Sequence, residues 1–269
     1  MKALFLKISS MPFNLKILRS LIFIACINMI VFCSCSYMIE YSPYDANVKT
    51  SVFNTVRAEN ISLVAFDEDT LKFAVFSDSH NDYDKLSEII NKINLQKGLQ
   101  FVVCCGDVTN AGLSQEYIWY LDAVEHCKYP IFTVIGNHDY RSNGYVIFNK
   151  VFGQPNMSFI VGRYKFVMFD DIIWENNNKS PKYEWLKEEM ADSAYKHIVL
   201  AHIPPWSDQM EGLNKLVFDQ IVTPQNTILC IYGHDHSFLD KKVNGIHSIV
   251  SGCVKDKSCF VVSIVHDKA

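Results

Sequence analysis

The sequence predicts one α/β domain built on a largely parallel sheet. Three observations predict it. From Leu71 onward, short apolar runs alternate with segments whose apolar residues recur at helical spacing. The runs are continuous rather than alternating, which marks strands buried on both faces. At 269 residues, 49% hydrophobic and 20% charged, the chain can bury a sizeable core. The formal charge of -4 comes without a block of Lys and Arg, so a long nucleic acid is not an expected partner.

The first residues read as a separate unit. Lys2, Lys7, Lys16 and Arg19 precede the apolar stretch Leu21 to Phe32, which ends at Cys33-Ser34-Cys35-Ser36. This stretch is shorter than the roughly 20 residues a membrane span needs and suits a signal-peptide core. Ser34-Cys35 resembles the lipobox of bacterial lipoproteins, with Phe32 where that pattern usually has Leu. The expectation is a leader over residues 1–35, export to the cell envelope or periplasm, and a lipid anchor on Cys35. A plain signal peptide and an uncleaved anchor are the other readings, and each also takes the protein out of the cytoplasm. Residues 36–70 read as a polar tether with a lead-in strand, and residues 71–269 as the domain.

Taken in order, Leu71 to Phe76 is a strand, Leu86, Ile89, Ile90 and Ile93 mark a helix, and Phe101 to Cys105 is the next strand. A helix follows over Ser114 to Val124, with Ser114 as N-cap, then a strand over Ile131 to Ile135. Ser158 to Val161 and Tyr164 to Phe169 are strands, and a helix opens at Ser180-Pro181, where Pro suits the first helical position. His197 to Ala201 and Thr227 to Tyr232 are strands around a helix over Leu213 to Ile221. His247 to Val250 and Phe260 to His266 read as an antiparallel closing pair. Of nine cysteines, Cys104, Cys105 and Cys230 fall in apolar runs as buried thiols. Cys253 and Cys259 flank a hairpin tip, where a bridge is an open question.

Polar clusters stand where five of these strands should end: Asp78-Ser79-His80, Gly106-Asp107, Gly136-Asn137-His138-Asp139, His202 and Gly233-His234-Asp235-His236. Any one of them alone is an ordinary turn or cap. Ligands of open α/β sheets bind at the carboxyl ends of strands, so the coincidence of all five points to one site. Asp78, His80, Asp107, Asn137, His202, His234 and His236 supply carboxylate, amide and imidazole donors. That mix suits Mn, Fe, Zn or Co, where Mg or Ca would call for nearly all oxygen. One carboxylate can bridge two cations, which together lower the pKa of a shared water.

The order of these clusters resembles the calcineurin-like metallophosphoesterase family over roughly residues 71 to 266. The resemblance implies a four-layer αββα sandwich and two divalent metal ions. It implies that Asp78, His80, Asp107 and His236 hold one ion and Asp107, Asn137, His202 and His234 the other. His138 corresponds to the catalytic histidine and Asp139 to the residue that orients it. His80 stands where purple acid phosphatases have glycine, and Gly106-Asp107-Val108-Thr109-Asn110 lacks their tyrosine ligand and the Asp-Arg of serine/threonine phosphatases. The nearest branch is the compact bacterial phosphodiesterases.

The expected activity is hydrolysis of a phosphodiester or phosphomonoester by a metal-bridged hydroxide, with a small phosphorylated substrate chosen by the loops Asn143 to Gln154, Asp170 to Ser180 and Ile203 to Gly212. The alternative is a non-catalytic, metal-stabilised envelope lipoprotein that binds a partner or phosphorylated glycan. A decayed enzyme should have lost a ligand or His138, and none is missing.

Overall fold

Five phenylalanines from two sheets meet in the middle of the molecule. Phe132 stacks on Phe159 at 3.8 Å and Phe159 on Phe166 at 4.9 Å, while Phe101 and Phe73 meet Phe166 edge-on. All are buried, and each contributes about 1.5 to 3 kcal/mol by leaving water. The computed structural model describes residues 15–39, 42, 44–61 and 70–265. Lys2, Lys7, residues 62–69 and His266 lie outside the described residues, as does the side chain of Cys35.

The chain divides into units Met1–Ser42 and Pro43–Ala269. In the first, the apolar stretch forms helix α1 (Leu15–Ile39), on which Leu21, Phe23 and Met29 are exposed. Among the described residues no helix is long and apolar enough to cross a membrane.

The second unit opens with α2 (Phe53–Ile61), within the stretch read as a polar tether with a lead-in strand. It covers an open sheet edge. The buried Asn54 donates from Nδ2 to the Thr133 carbonyl at 2.7 Å and accepts from the Thr133 N–H at 2.9 Å, and Arg57 donates to the Ile131 carbonyl. Unpaired edges invite association, and this helix closes one.

The first sheet contains β1 (Thr70–Phe76), β2 (Phe101–Cys104), β3 (Ile131–Thr133) and β10 (Phe260–Val265), in the order β10-β1-β2-β3. The second contains β4 (Met157–Val161), β5 (Tyr164–Met168), β6 (Lys196–Leu200), β7 (Thr227–Tyr232), β8 (Leu239–Val243) and β9 (Ile246–Val250), in the order β4-β5-β6-β7-β9-β8. β1 to β3 run parallel, as do β5, β6, β7 and β9. On β1, Leu71, Phe73 and Val75 face the second sheet, whereas Ala74 and Phe76 pack under α3 (Tyr83–Asn94), α4 (Ser114–Val124) and α5 (Gly144–Val151). α6 (Tyr183–Met190) and α7 (Leu213–Ile221) bury Leu186, Met190 and Phe218 on the far face of the second sheet. The result is the expected αββα sandwich.

Several local expectations need correction. The two closing runs do not pair: β10 is antiparallel to β1, while β9 joins the other sheet between β7 and β8. Ser114 is the first residue of α4 rather than its cap, and the Glu116 carboxylate takes the free N–H groups of Asn110, Ala111 and Leu113. Pro181 stands before α6, which begins at Tyr183. The supposed specificity loop Asn143 to Gln154 is mostly α5. Cys253 and Cys259 are free thiols, and Cys253 donates to Asp256 at 3.3 Å.

Candidate metal centre

The five clusters leave the C-terminal ends of β1, β2, β3, β6 and β7 and fold toward one another. The backbone ties them together: Asp78 N–H donates to the Gly106 carbonyl, His80 N–H to Asp107, and Gly233 N–H to His202, each at 3.0 Å. Five of the expected ligands sit at positive φ: Asp78 (54°), His80 (44°), Asp107 (54°), His234 (72°) and His236 (57°). A non-glycine residue held left-handed costs on the order of 1 kcal/mol or more, and such strain collects at functional sites. Gly136 has a different task. A Cβ there would lie 2.2 Å from Asp107 Oδ1 and 2.3 Å from its nitrogen, so only glycine lets the third loop reach the second.

Two groups of donors result. Asp78 Oδ1 lies 3.4 Å from His236 Nε2 and 4.0 Å from His80 Nε2, and those two ring nitrogens face each other at 3.1 Å. In the second group, Asn137 Oδ1 lies 3.2 Å from His202 Nε2 and 3.3 Å from His234 Nδ1. Asp107 Oδ2 stands between the groups, 3.8 Å from His80 Nε2 and 3.3 Å from His202 Nε2. The structure thus brings all seven predicted donors together, with Asp107 common to both sets.

This donor set fits metal cations. Two imidazole nitrogens and a carboxylate converging at 3 to 4 Å must share a proton or turn their lone pairs to a common cation. Asp78, Asp107, Asn137 and His202 are at most 5% exposed, so their charge and lone pairs are little screened by bulk solvent. His202 Nδ1 lies 2.7 Å from the Cys105 carbonyl, which holds that proton and leaves Nε2 for the cluster. Without metal the cluster is balanced by protons. Burial opposes charge on His202, yet the Asp107 carboxylate raises its pKa to about 10. Burial would raise Asp107, but the charge of His202 outweighs it and holds the carboxyl below its usual range. Burial lowers His80 and His234, while the hydrogen bond to Asp78 raises His236.

His138 lies beside this cluster, its ring 4.6 Å from that of His80 and its N–H donating to Asp107 Oδ1 at 2.8 Å. The expected role of Asp139 is not what the geometry shows. Its carboxylate is wholly buried and accepts from Thr109 Oγ1 (2.7 Å), Thr109 N (2.9 Å), Gly136 N (3.0 Å) and Val108 N (3.3 Å). Asp139 therefore staples the loop after β2 to the loop after β3. The partner of the His138 ring is the Asn110 carbonyl, 2.7 Å from Nδ1. Burial, followed by the Asp107 charge, raises the Asp139 pKa to about 7.

Three further residues escape sequence reasoning. Glu175 Oε1 accepts the Asn137 amide N–H at 2.8 Å, which turns Asn137 Oδ1 toward His202 and His234. Nothing around Trp174-Glu175-Asn176 signals this. Asp171, buried beyond β5, accepts the N–H groups of Ile203 (2.9 Å) and His202 (3.4 Å), and burial raises its pKa to about 7. Its signal was available, since Asp170-Asp171 is another polar pair at a strand end. Glu116 shapes the loop that carries the Asn110 carbonyl.

A model of the calcineurin-like phosphoesterase family matches residues 71–238. The chain is 28% identical over 65 residues to a Xenorhabdus bovienii protein named "Probable cyclic nucleotide phosphodiesterase", covering 24% of this chain and 26% of that one. It is 27% identical over 146 residues to a serine/threonine-protein phosphatase of Homo sapiens, covering 46% of this chain and 45% of that one. The chain thus matches less than half the length of either relative. The crystal structure of a dimetal phosphatase from Danio rerio shares the fold, with a TM-score of 0.54 and 13% identity over 71% of this chain and 91% of that one.

Proposed function

We propose that this chain, a member of the calcineurin-like phosphoesterase family, is a metal-dependent phosphoester hydrolase that works with two divalent transition ions. Asp78, His80, Asp107 and His236 would hold one, and Asp107, Asn137, His202 and His234 the other. Bound there, such ions activate a water nucleophile and neutralise phosphate charge. The observation that carries this reading is the position of Asp107 Oδ2 between the two donor groups.

The chain's own groups do the rest. His138 donates Nδ1–H to the Asn110 carbonyl, which fixes the ring and directs Nε2 as the proton carrier. When charged, that imidazole gives its Nε2 proton to the leaving oxygen while Asn110 steadies the other N–H. Glu175 keeps the Asn137 amide from turning its nitrogen toward the site. Buried Asp171 fixes the backbone of His202.

The test is a hydrolysis panel in Mn and then in chelator, comparing bis-para-nitrophenyl phosphate with the monoester, together with metal analysis. Up to two ions per chain and loss of hydrolysis on chelation are expected. Metal-free protein whose turnover ignores chelator would overturn the proposal. The names of the relatives span diester and monoester chemistry, and the lack of the protein-phosphatase Asp-Arg after Gly106-Asp107 favours a small substrate.

Export with Cys35 acylated belongs to the same proposal, supported by the basic residues, apolar stretch and Ser34-Cys35 of the leader. Mass spectrometry of the mature N-terminus tests it, and an unmodified Cys35 in membrane-extracted protein would refute acylation.

A further inference from the structure

A cavity of about 260 Å³ has no part in the chemistry above. Two of its lining residues stand close along the chain to residues of the donor cluster. Tyr140 lies in the same short turn as His138, and Asn176 follows Glu175, whose carboxylate holds Asn137. The rings of Tyr140 and Tyr145, 4.8 Å apart, form an aromatic wall, and Asn156, Asp170, Asn176, Ser180, Pro181 and the exposed Lys179 and Lys182 complete the lining.

The unspent charged groups of this cavity are both cationic, and its amide and hydroxyl groups can donate beside them. The Asn156 oxygen already accepts the Asp170 N–H at 3.0 Å, which leaves its amide N–H groups. Among the described residues, no hydrogen bond or ion pair occupies the Lys179 and Lys182 ammonium groups, the Asn176 amide or the Tyr145 hydroxyl. Asp170, the one carboxylate in the lining, is 7% exposed and spent: it accepts the Tyr140 hydroxyl at 2.5 Å and the Ile172 N–H at 3.3 Å. Such a set suits an acceptor-rich anion and repels a cation.

The rim is shaped in advance. Asn177 and Asn178 both sit left-handed, at φ 55° and 56°, and the Lys179 N–H donates to the Asn176 carbonyl at 3.1 Å. Left-handed geometry at both central positions defines a type I′ turn, which asparagine tolerates better than other side-chain-bearing residues. The Asn178 N–H is bonded to the Ile173 carbonyl at 2.9 Å, so the Asn176 and Lys179 backbone is held in place over the cavity.

We infer that this cavity is a subsite for a second phosphate on the ester that the metal centre cleaves, so that the preferred substrate is a bisphosphate or polyphosphate. The inference rests on the phosphoester-hydrolase reading. It is tested on the metal-loaded full chain with thymidine 3′-(para-nitrophenyl phosphate), compared with the same ester carrying a 5′-phosphate. The second phosphate should lower KM by about tenfold, the worth of one well-made charged hydrogen bond, and the advantage should shrink with salt. K179A/K182A should erase that advantage and leave both kcat and KM on the plain ester unchanged, whereas K179R/K182R should retain most of it. Equal KM for the two esters in the unmodified protein, or an equal loss on both in the alanine pair, overturns the subsite alone. Hydrolysis of neither ester removes the hydrolase reading, and the subsite with it.

Discussion

Replacing Asp139 with alanine separates a structural staple from an orienting group. In the folded protein its carboxylate takes four donors, the Thr109 hydroxyl and the N–H groups of Thr109, Gly136 and Val108, and it is 0% exposed. Each buried donor left unpaired costs about 1 to 3 kcal/mol. The vacated space can admit a water that restores part of this, and removal of a buried carboxyl also removes its desolvation cost. A net loss of about 3 to 5 kcal/mol follows for Asp139→Ala, and a smaller loss of about 1 to 2 kcal/mol for Asp139→Asn, which keeps one oxygen for Thr109. With a urea slope of about 2 kcal/mol/M, the alanine variant should lose about 2 M in unfolding midpoint. The assay is equilibrium urea unfolding of chelated and metal-loaded protein, beside turnover at a urea-free temperature where both variants are folded. If Asp139 acted only by orienting His138, turnover would fall while the midpoint stayed within about 0.3 M of the parent. That result would refute the staple and return Asp139 to the role expected from the family pattern.

His138→Ala should keep the metal content and lose about 10² to 10⁴ in kcat, with a smaller loss for a nitrophenolate leaving group; equal losses for good and poor leaving groups, or loss of metal, would make this residue a ligand or clamp instead. Gly136→Ala drives a methyl group into Asp107 Oδ1 at 2.2 Å, so calorimetry should show a loss of about 1 to 3 kcal/mol and metal analysis fewer than two ions. Chelated protein should become less stable as pH rises from about 7 to 9. Folded Asp139 and Asp171 hold their protons to about 7, beyond the usual 3.8, and folded His202 to about 10, beyond 6.5. Burial works the other way on His80 and His234, which give up their protons more readily when folded, so the sign is set above about pH 7, where the native state still holds the His202 proton and the unfolded chain does not; melting temperatures that rise between pH 7 and 9 would contradict the assignment.

Much of this protein was legible in its sequence because the signals were local. A continuous apolar run such as Phe101 to Cys105 can only be a strand buried on both faces, and a polar cluster directly after it can only lie at the strand's end. The seven donors were found that way. Leu213 to Ile221 and Thr227 to Tyr232 were bounded correctly for the same reason. β8 was missed because Leu239-Asp-Lys-Lys-Val is an edge strand, whose charged residues guard against association and erase the apolar run.

What only the tertiary structure decided are matters of partnership. A run such as Phe260 to Val265 announces a strand but not its neighbour, and pairing with β1 rather than β9 is settled by which sheet buries Val262 and Ile264. The Asn110 carbonyl holds the His138 ring and Asp139 staples two loops because those loops, 30 residues apart in the chain, are pressed together where Gly136 has no side chain. Glu175 reaches Asn137 from a loop with no motif at all. The left-handed backbone at Asp78, His80, Asp107, His234 and His236 is likewise invisible in composition or period. Local sequence sets what each segment prefers, and such strained conformations persist only where the packed sheets and neighbouring loops outweigh that preference.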